Sequence, residues 1–82
     1  HMSDSLGQLL ITLRHARGLT QMELCARVSH VVGLVQPQIS ELENDNMSPN
    51  AGQLEHIMRA LEATDQDRRR CRDLAAADVV RR

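Results

Sequence analysis

A chain of 82 residues carries one domain and buries only about 60–65% of the surface its unfolded form exposes, so its stability margin is thin. It contains no Phe, Tyr or Trp, which excludes base-stacking platforms for single-stranded nucleic acid and aromatic sugar-binding sites, and leaves Leu, Ile, Val, Met and Ala to build the core. The net charge of −1 is uneven: residues 1–63 hold four arginines against seven carboxylates, and residues 64–82 hold six arginines against four aspartates.

His1-Met2 reads as a cloning scar and is set aside. No apolar run approaches the length of a membrane span, and the expected location is cytoplasmic. That setting favours two reduced, buried thiols at Cys25 and Cys71 over a disulfide. His15, His30 and His56 lack metal-ligand spacing with either cysteine, so neither a metal nor another cofactor is expected.

Leu6, Leu9, Leu10 and Leu13 repeat at helical spacing, with Ser3 or Ser5 as the cap and Gly18 as the stop, which predicts a first helix over 5–16. Thr20 and Glu23 form a capping box, and Leu24 and Val28 share one face with Cys25 between them, which predicts a second helix over 21–28. Ser29 to Leu34, with Gly33, reads as a turn in which His30, Val31 and Val32 either extend the second helix or bulge. Gln36-Pro37 opens a third helix that runs to 43, with Val35, Ile39 and Leu42 turned inward. Asn44-Asp45-Asn46 ends it. A fourth helix starts at Ser48-Pro49-Asn50 and carries the stripe Leu54, Ile57, Met58 and Leu61. Thr64 opens a fifth, with Asp65 and Asp67 at its positive end and Cys71, Leu74, Ala75 and Val79 as its apolar face. The fold class is therefore all-α, a compact five-helix bundle. Residues 3–63 form the main domain, and 64–82 form a terminal helix that packs on it or makes a dimer contact.

The segments Arg14-His15-Ala16-Arg17-Gly18-Leu19-Thr20-Gln21, Gln36-Pro37-Gln38-Ile39-Ser40-Glu41-Leu42-Glu43-Asn44 and Pro49 to Leu54 occur in the order of a helix-turn-helix. Together they resemble the Cro/repressor family, also named after the xenobiotic response element, over roughly residues 5–63. The resemblance implies a lambda-repressor-like domain that lays its third helix in the major groove of double-stranded DNA.

Residue by residue, it implies that Gln21 contacts a phosphate at the amino end of helix two. Gln36 and Gln38 read bases, since glutamine pairs bidentately with adenine; Glu41 accepts from cytosine, and Pro37 and Ser40 line the same surface. Asn44 contacts phosphate, and Asn46 and Ser48 add to it. Arg14 and Glu43 match a partly buried structural ion pair that joins helix one to the end of helix three. The sequence departs from the family in its longer turn before helix three, in Pro37 at a position that often reads a base, and in its acidic balance. The run Arg68, Arg69, Arg70 and Arg72 reads as a solvated face paired with Asp65, Asp67 and Asp73.

The expected function is a sequence-specific transcriptional regulator, a repressor, that binds a palindromic operator as a homodimer. The competing reading is a repressor-like protein-interaction module, such as an antitoxin or sensor adaptor, which the acidic balance favours. No nucleophile–base set, carboxylate pair or glycine-rich phosphate loop stands out, so an enzyme is not expected.

Overall fold

The computed structural model describes residues 5–81, with side chains through Ala77. Ser3 as a cap and the side chain of Val79 lie outside it. The described residues form five α-helices, α1 (Leu6–Ala16), α2 (Gln21–Val32), α3 (Gln36–Glu43), α4 (Ala51–Ala60) and α5 (Asp65–Arg81), with no strand among them. The all-α bundle expected from periodicity is the fold. α2 packs on α3 and α4, and α1 on α3 and α5.

Each start has a local cause. The Ser5 hydroxyl accepts the Gln8 N–H at 3.1 Å and caps α1. Thr20 and Glu23 satisfy each other's amides at 3.1 and 2.8 Å, and Thr20's hydrogen bonds hold the Glu23 carboxyl below its ordinary pKa. Asn50 and Gln53 repeat the box at α4, and Thr64 accepts the Asp67 N–H at α5.

The second helix is longer than periodicity suggests. It runs past Val28 to Val32, so Ser29 to Val32 is helix and not turn. Val32 still packs against the core, and the first residue suited to a left-handed stop is Gly33, which adopts φ +71° and donates to Ser29 O at 2.8 Å. The connection to α3 is then only Gly33 to Val35.

Val35 is also corrected. It is not inward-facing but 52% exposed, in extended geometry before α3. Gln38 Oε1 accepts its N–H at 3.0 Å.

The core gathers Leu6, Leu9 and Leu10 of α1, Leu24 and Val28 of α2, Ile39 and Leu42 of α3, and Leu54, Ile57 and Met58 of α4. Cys71 of α5 completes it with no exposure at all, and Leu74 and Ala75 pack beside it. Cys71, Leu74 and Ala75 thus pack on the monomer's own core, and Cys71 has no surface left for a contact across a two-fold axis. Burial pushes the Cys71 thiol up to about 11. Both cysteines are free thiols, but Cys25 is only half-buried. Arg68 and Arg72 turn to Glu55 of α4, at 3.9 and 2.9 Å, and among the described residues neither pairs with Asp65, Asp67 or Asp73.

The loop after α3 locks onto the start of α1. Asp45 adopts φ +62°, the left-handed geometry that closes α3, and its Oδ1 accepts the Gly7 N–H at 2.9 Å. That amide is one of the first-turn donors of α1 that no helix carbonyl can satisfy. Asp45→Ala keeps the left-handed strain and loses the bond, and is expected to cost about 2 kcal/mol. Asp45→Gly relieves the strain, and its net loss is expected to be smaller, about 1 kcal/mol. Urea denaturation of both variants checks the ordering: equal losses would refute the strain argument, and no loss in Asp45→Gly would refute the interlock.

Candidate nucleic-acid interface

Arg14 and Glu43 are the charged side chains buried in the described core, at 8% and 3% exposure. Arg14 Nε donates to Glu43 Oε2 at 2.6 Å and Nη2 to Oε1 at 2.9 Å, while Nη1 donates to Leu19 O at 2.8 Å. This planar fork ties the end of α1, the end of α3 and the α1–α2 turn into one unit. No buried side-chain nitrogen or oxygen among the described residues lacks a partner.

Two glutamines extend this unit toward the surface. Gln21, the first residue of α2, donates from Nε2 to Glu43 Oε1 at 2.8 Å. Gln36, the first residue of α3, donates from Nε2 to Gln21 Oε1 at 2.8 Å. The direction of the chain is dictated by chemistry: an ionised carboxylate only accepts, so Gln21 must turn its NH2 to Glu43 and its carbonyl oxygen outward. That oxygen in turn requires the NH2 of Gln36. Gln36 is left with one free N–H and a free carbonyl oxygen, both at the solvent end of the relay.

The other sequence-derived candidates fall around the same helix. Pro37 and Glu41 are exposed on α3, Gln38 and Ser40 are half-buried there, and Asn44 and Asn46 are exposed just beyond it. Gln38 has its carbonyl oxygen engaged with the Val35 amide, which leaves its NH2 as the outward group. Ser48 is half-buried in the loop to α4. A shallow cleft of about 520 Å³ opens beside the amino end of α2, lined by Arg14, Gly18, Thr20 and Gln21 among others.

Sequence reasoning placed Gln21 and Gln36 in separate roles and missed that they bond to each other. It also left the remaining arginines unassigned. Arg17 donates to Leu61 O and Glu62 O at 3.0 and 3.1 Å, and Arg27 to Ala60 O at 3.3 Å, so both cap the end of α4. Among the candidate contact residues themselves, Glu41 is the one that carries a charge. No group of three or more His, Cys, Asp or Glu among the described residues is placed to hold a metal. No helix in them is long and apolar enough to cross a membrane.

Comparison with known proteins adds one match. The family described as "Helix-turn-helix domain" matches residues 5–71, from the cap of α1 to the buried thiol of α5. No curated protein and no solved structure matches the chain.

Proposed function

Because the chain belongs to the helix-turn-helix domain family, whose members are DNA-binding regulators, we propose that it is a sequence-specific repressor of the Cro/repressor type that reads the major groove of duplex DNA with α3. The observation that carries this reading is the relay from Arg14 through Glu43 and Gln21 to Gln36. A glutamine with one free donor and one free acceptor matches the N7 acceptor and N6 donor of adenine. It mismatches guanine, which presents two acceptors there. The buried ion pair thus fixes the amide orientation on which base choice depends.

In the same reading Gln21 lies beside a phosphate at the amino end of α2, where free amides and the helix dipole favour an anion. Asn44 and Asn46 reach the backbone beyond α3. Gln38 contributes its outward NH2, and Pro37, Ser40 and Glu41 complete the base-facing surface. One module offers few contacts and little positive charge, so a two-fold operator bound by a homodimer fits best.

Gln36→Ala is expected to lower affinity for the selected operator roughly 5- to 150-fold while leaving binding to scrambled duplex nearly unchanged. Gln21→Ala is expected to weaken both and also to relax base choice, because it cuts the relay. Fluorescence anisotropy on the two duplexes checks this, and equal losses on both for Gln36→Ala would sink the assignment.

A second reading, a protein-interaction module, is favoured by one observation: Arg14, Arg17, Arg27, Arg68 and Arg72 all hold partners within their own chain. Absence of sequence-dependent duplex binding even at low salt would select that reading.

A further inference from the structure

A cleft of about 380 Å³ lies between the start of α4 and the middle of α5, with no lining residue from α2 or α3. Its lining is mostly apolar: Pro49, Ala51 and Leu54 come from the α4 side, and Ala75 and Ala76 from α5. Leu54 is a core residue, 4% exposed, so the cleft reaches down to the packed interior.

Hydrogen-bond accounting sorts its polar edge. Arg72 Nε and Nη2 donate to Glu55 Oε2 and Oε1 at 2.9 and 3.1 Å, and Arg68 stands 3.9 Å from the same carboxylate. Both Glu55 oxygens are therefore accepting, and two guanidiniums against one carboxylate leave a net positive charge beside the cleft. Arg72 Nη1 holds no hydrogen-bond partner among the described residues. Asn50 gives its Oδ1 to the Gln53 N–H at 2.8 Å, which leaves its NH2. What Arg72 and Asn50 have left over is donors alone.

An apolar hollow edged by donors and surplus positive charge is complementary to an anion with a hydrocarbon body. We propose that this cleft binds a small organic carboxylate, its chain against Leu54, Ala75 and Ala76 and its head on Arg72 and Asn50. A carboxylate only accepts, so it meets matching groups, whereas an ammonium compound meets like charge and no open acceptor. The volume lies at the small end of the roughly 300–1,000 Å³ of ligand sites, which suits a short aliphatic acid and not a long lipid. The two bonds to Glu55 fix the plane of the Arg72 guanidinium, so little freedom is lost when the anion arrives. None of this depends on how the domain reads DNA.

The test titrates the full chain with unbranched acids from butanoate to decanoate and follows the amide NMR signals of Ala51, Leu54 and Ala76. Affinity is expected to rise about two- to fourfold per added methylene and to level off once the chain outgrows the cleft. Octan-1-ol should bind roughly tenfold more weakly than octanoate. Arg72→Gln should erase that difference by weakening octanoate alone. Ala76→Leu fills the hollow from an exposed helix position and keeps Arg72, so it should weaken both ligands by on the order of tenfold.

Equal affinity for octanoate and octan-1-ol in the wild type, or octanoate binding that survives Ala76→Leu, overturns the proposal. A series that shifts none of these amides overturns it as well. In that case a wild type that sediments as a dimer, and becomes a monomer with Ala76→Leu, would assign the cleft to a second copy of the chain instead.

Discussion

Glu43→Ala is expected to lower stability by about 3–5 kcal/mol, because it leaves the Arg14 guanidinium buried without its counter-charge. In a domain of this size each kcal/mol moves the melting temperature by about 4–8 °C, so the drop is large enough to approach unfolding at 37 °C. The coupled loss is functional. Without the carboxylate nothing forces the Gln21 amide to face inward, and Gln36 loses its fixed orientation. Replacing both partners, as Arg14→Leu with Glu43→Leu, removes the uncompensated charge and is expected to recover much of the stability. It should not recover base discrimination, since the relay still has no anchor. Calorimetry and anisotropy on the single and double variants check the pair of outcomes. A single-variant loss below about 1 kcal/mol would contradict the burial argument.

Gly7→Ala is expected to destabilise the protein by about 2 kcal/mol or more, against its intrinsic sign. Alanine is favoured over glycine inside a helix by about 1 kcal/mol. At Gly7, however, an added Cβ would sit 2.5 Å from Glu43 O and 2.8 Å from Leu42 O, both backbone atoms at the end of α3. Relief requires α1 and α3 to separate, and that loosens the Asp45–Gly7 bond as well as the ion pair behind it. Gly52 on α4 is the control: its Cβ would meet only the Asn50 side chain, at 3.4 Å, so Gly52→Ala should be neutral or stabilising by up to about 1 kcal/mol. Denaturant midpoints for the two variants should shift in opposite directions or, at the least, differ by about 2 kcal/mol in the derived free energy.

What was legible in the sequence was local. The Thr20–Glu23 box, the proline in the first turn of α3 and the leucine spacing of α1 each act within four residues, so helix existence and most starts could be read directly. The end of α2 could not. Ser29, His30, Val31 and Val32 are indifferent helix formers, and only the packing of Val32 on the core carries the helix on to Gly33. Val35 was assigned to the interior on hydrophobicity alone, but it falls on the connection before α3, where the periodicity of the helix has not yet begun. The candidate contact residues were legible through their resemblance to a motif. Their mutual arrangement was not, because Gln21, Gln36 and Glu43 are separated by 15 and 22 residues and meet only once α2 crosses α3. Arg17 and Arg27 were opaque for the same reason: they donate to carbonyl oxygens at the end of α4, which carry no side-chain signature.

The enclosed thiol of Cys71 gives this protein an internal clock for its own opening. With no aromatic side chain, the fold has no intrinsic fluorophore to report when it comes apart. Cys25 keeps part of its surface in solvent, whereas Cys71 keeps none and is held protonated well above neutral pH. A thiol reagent therefore meets the two sulfurs on different schedules, Cys25 from the intact fold and Cys71 only when α5 lifts from the core. The gap between the two labelling rates records how often that lift happens, with a natural atom as the probe and the half-open cysteine as its own reference.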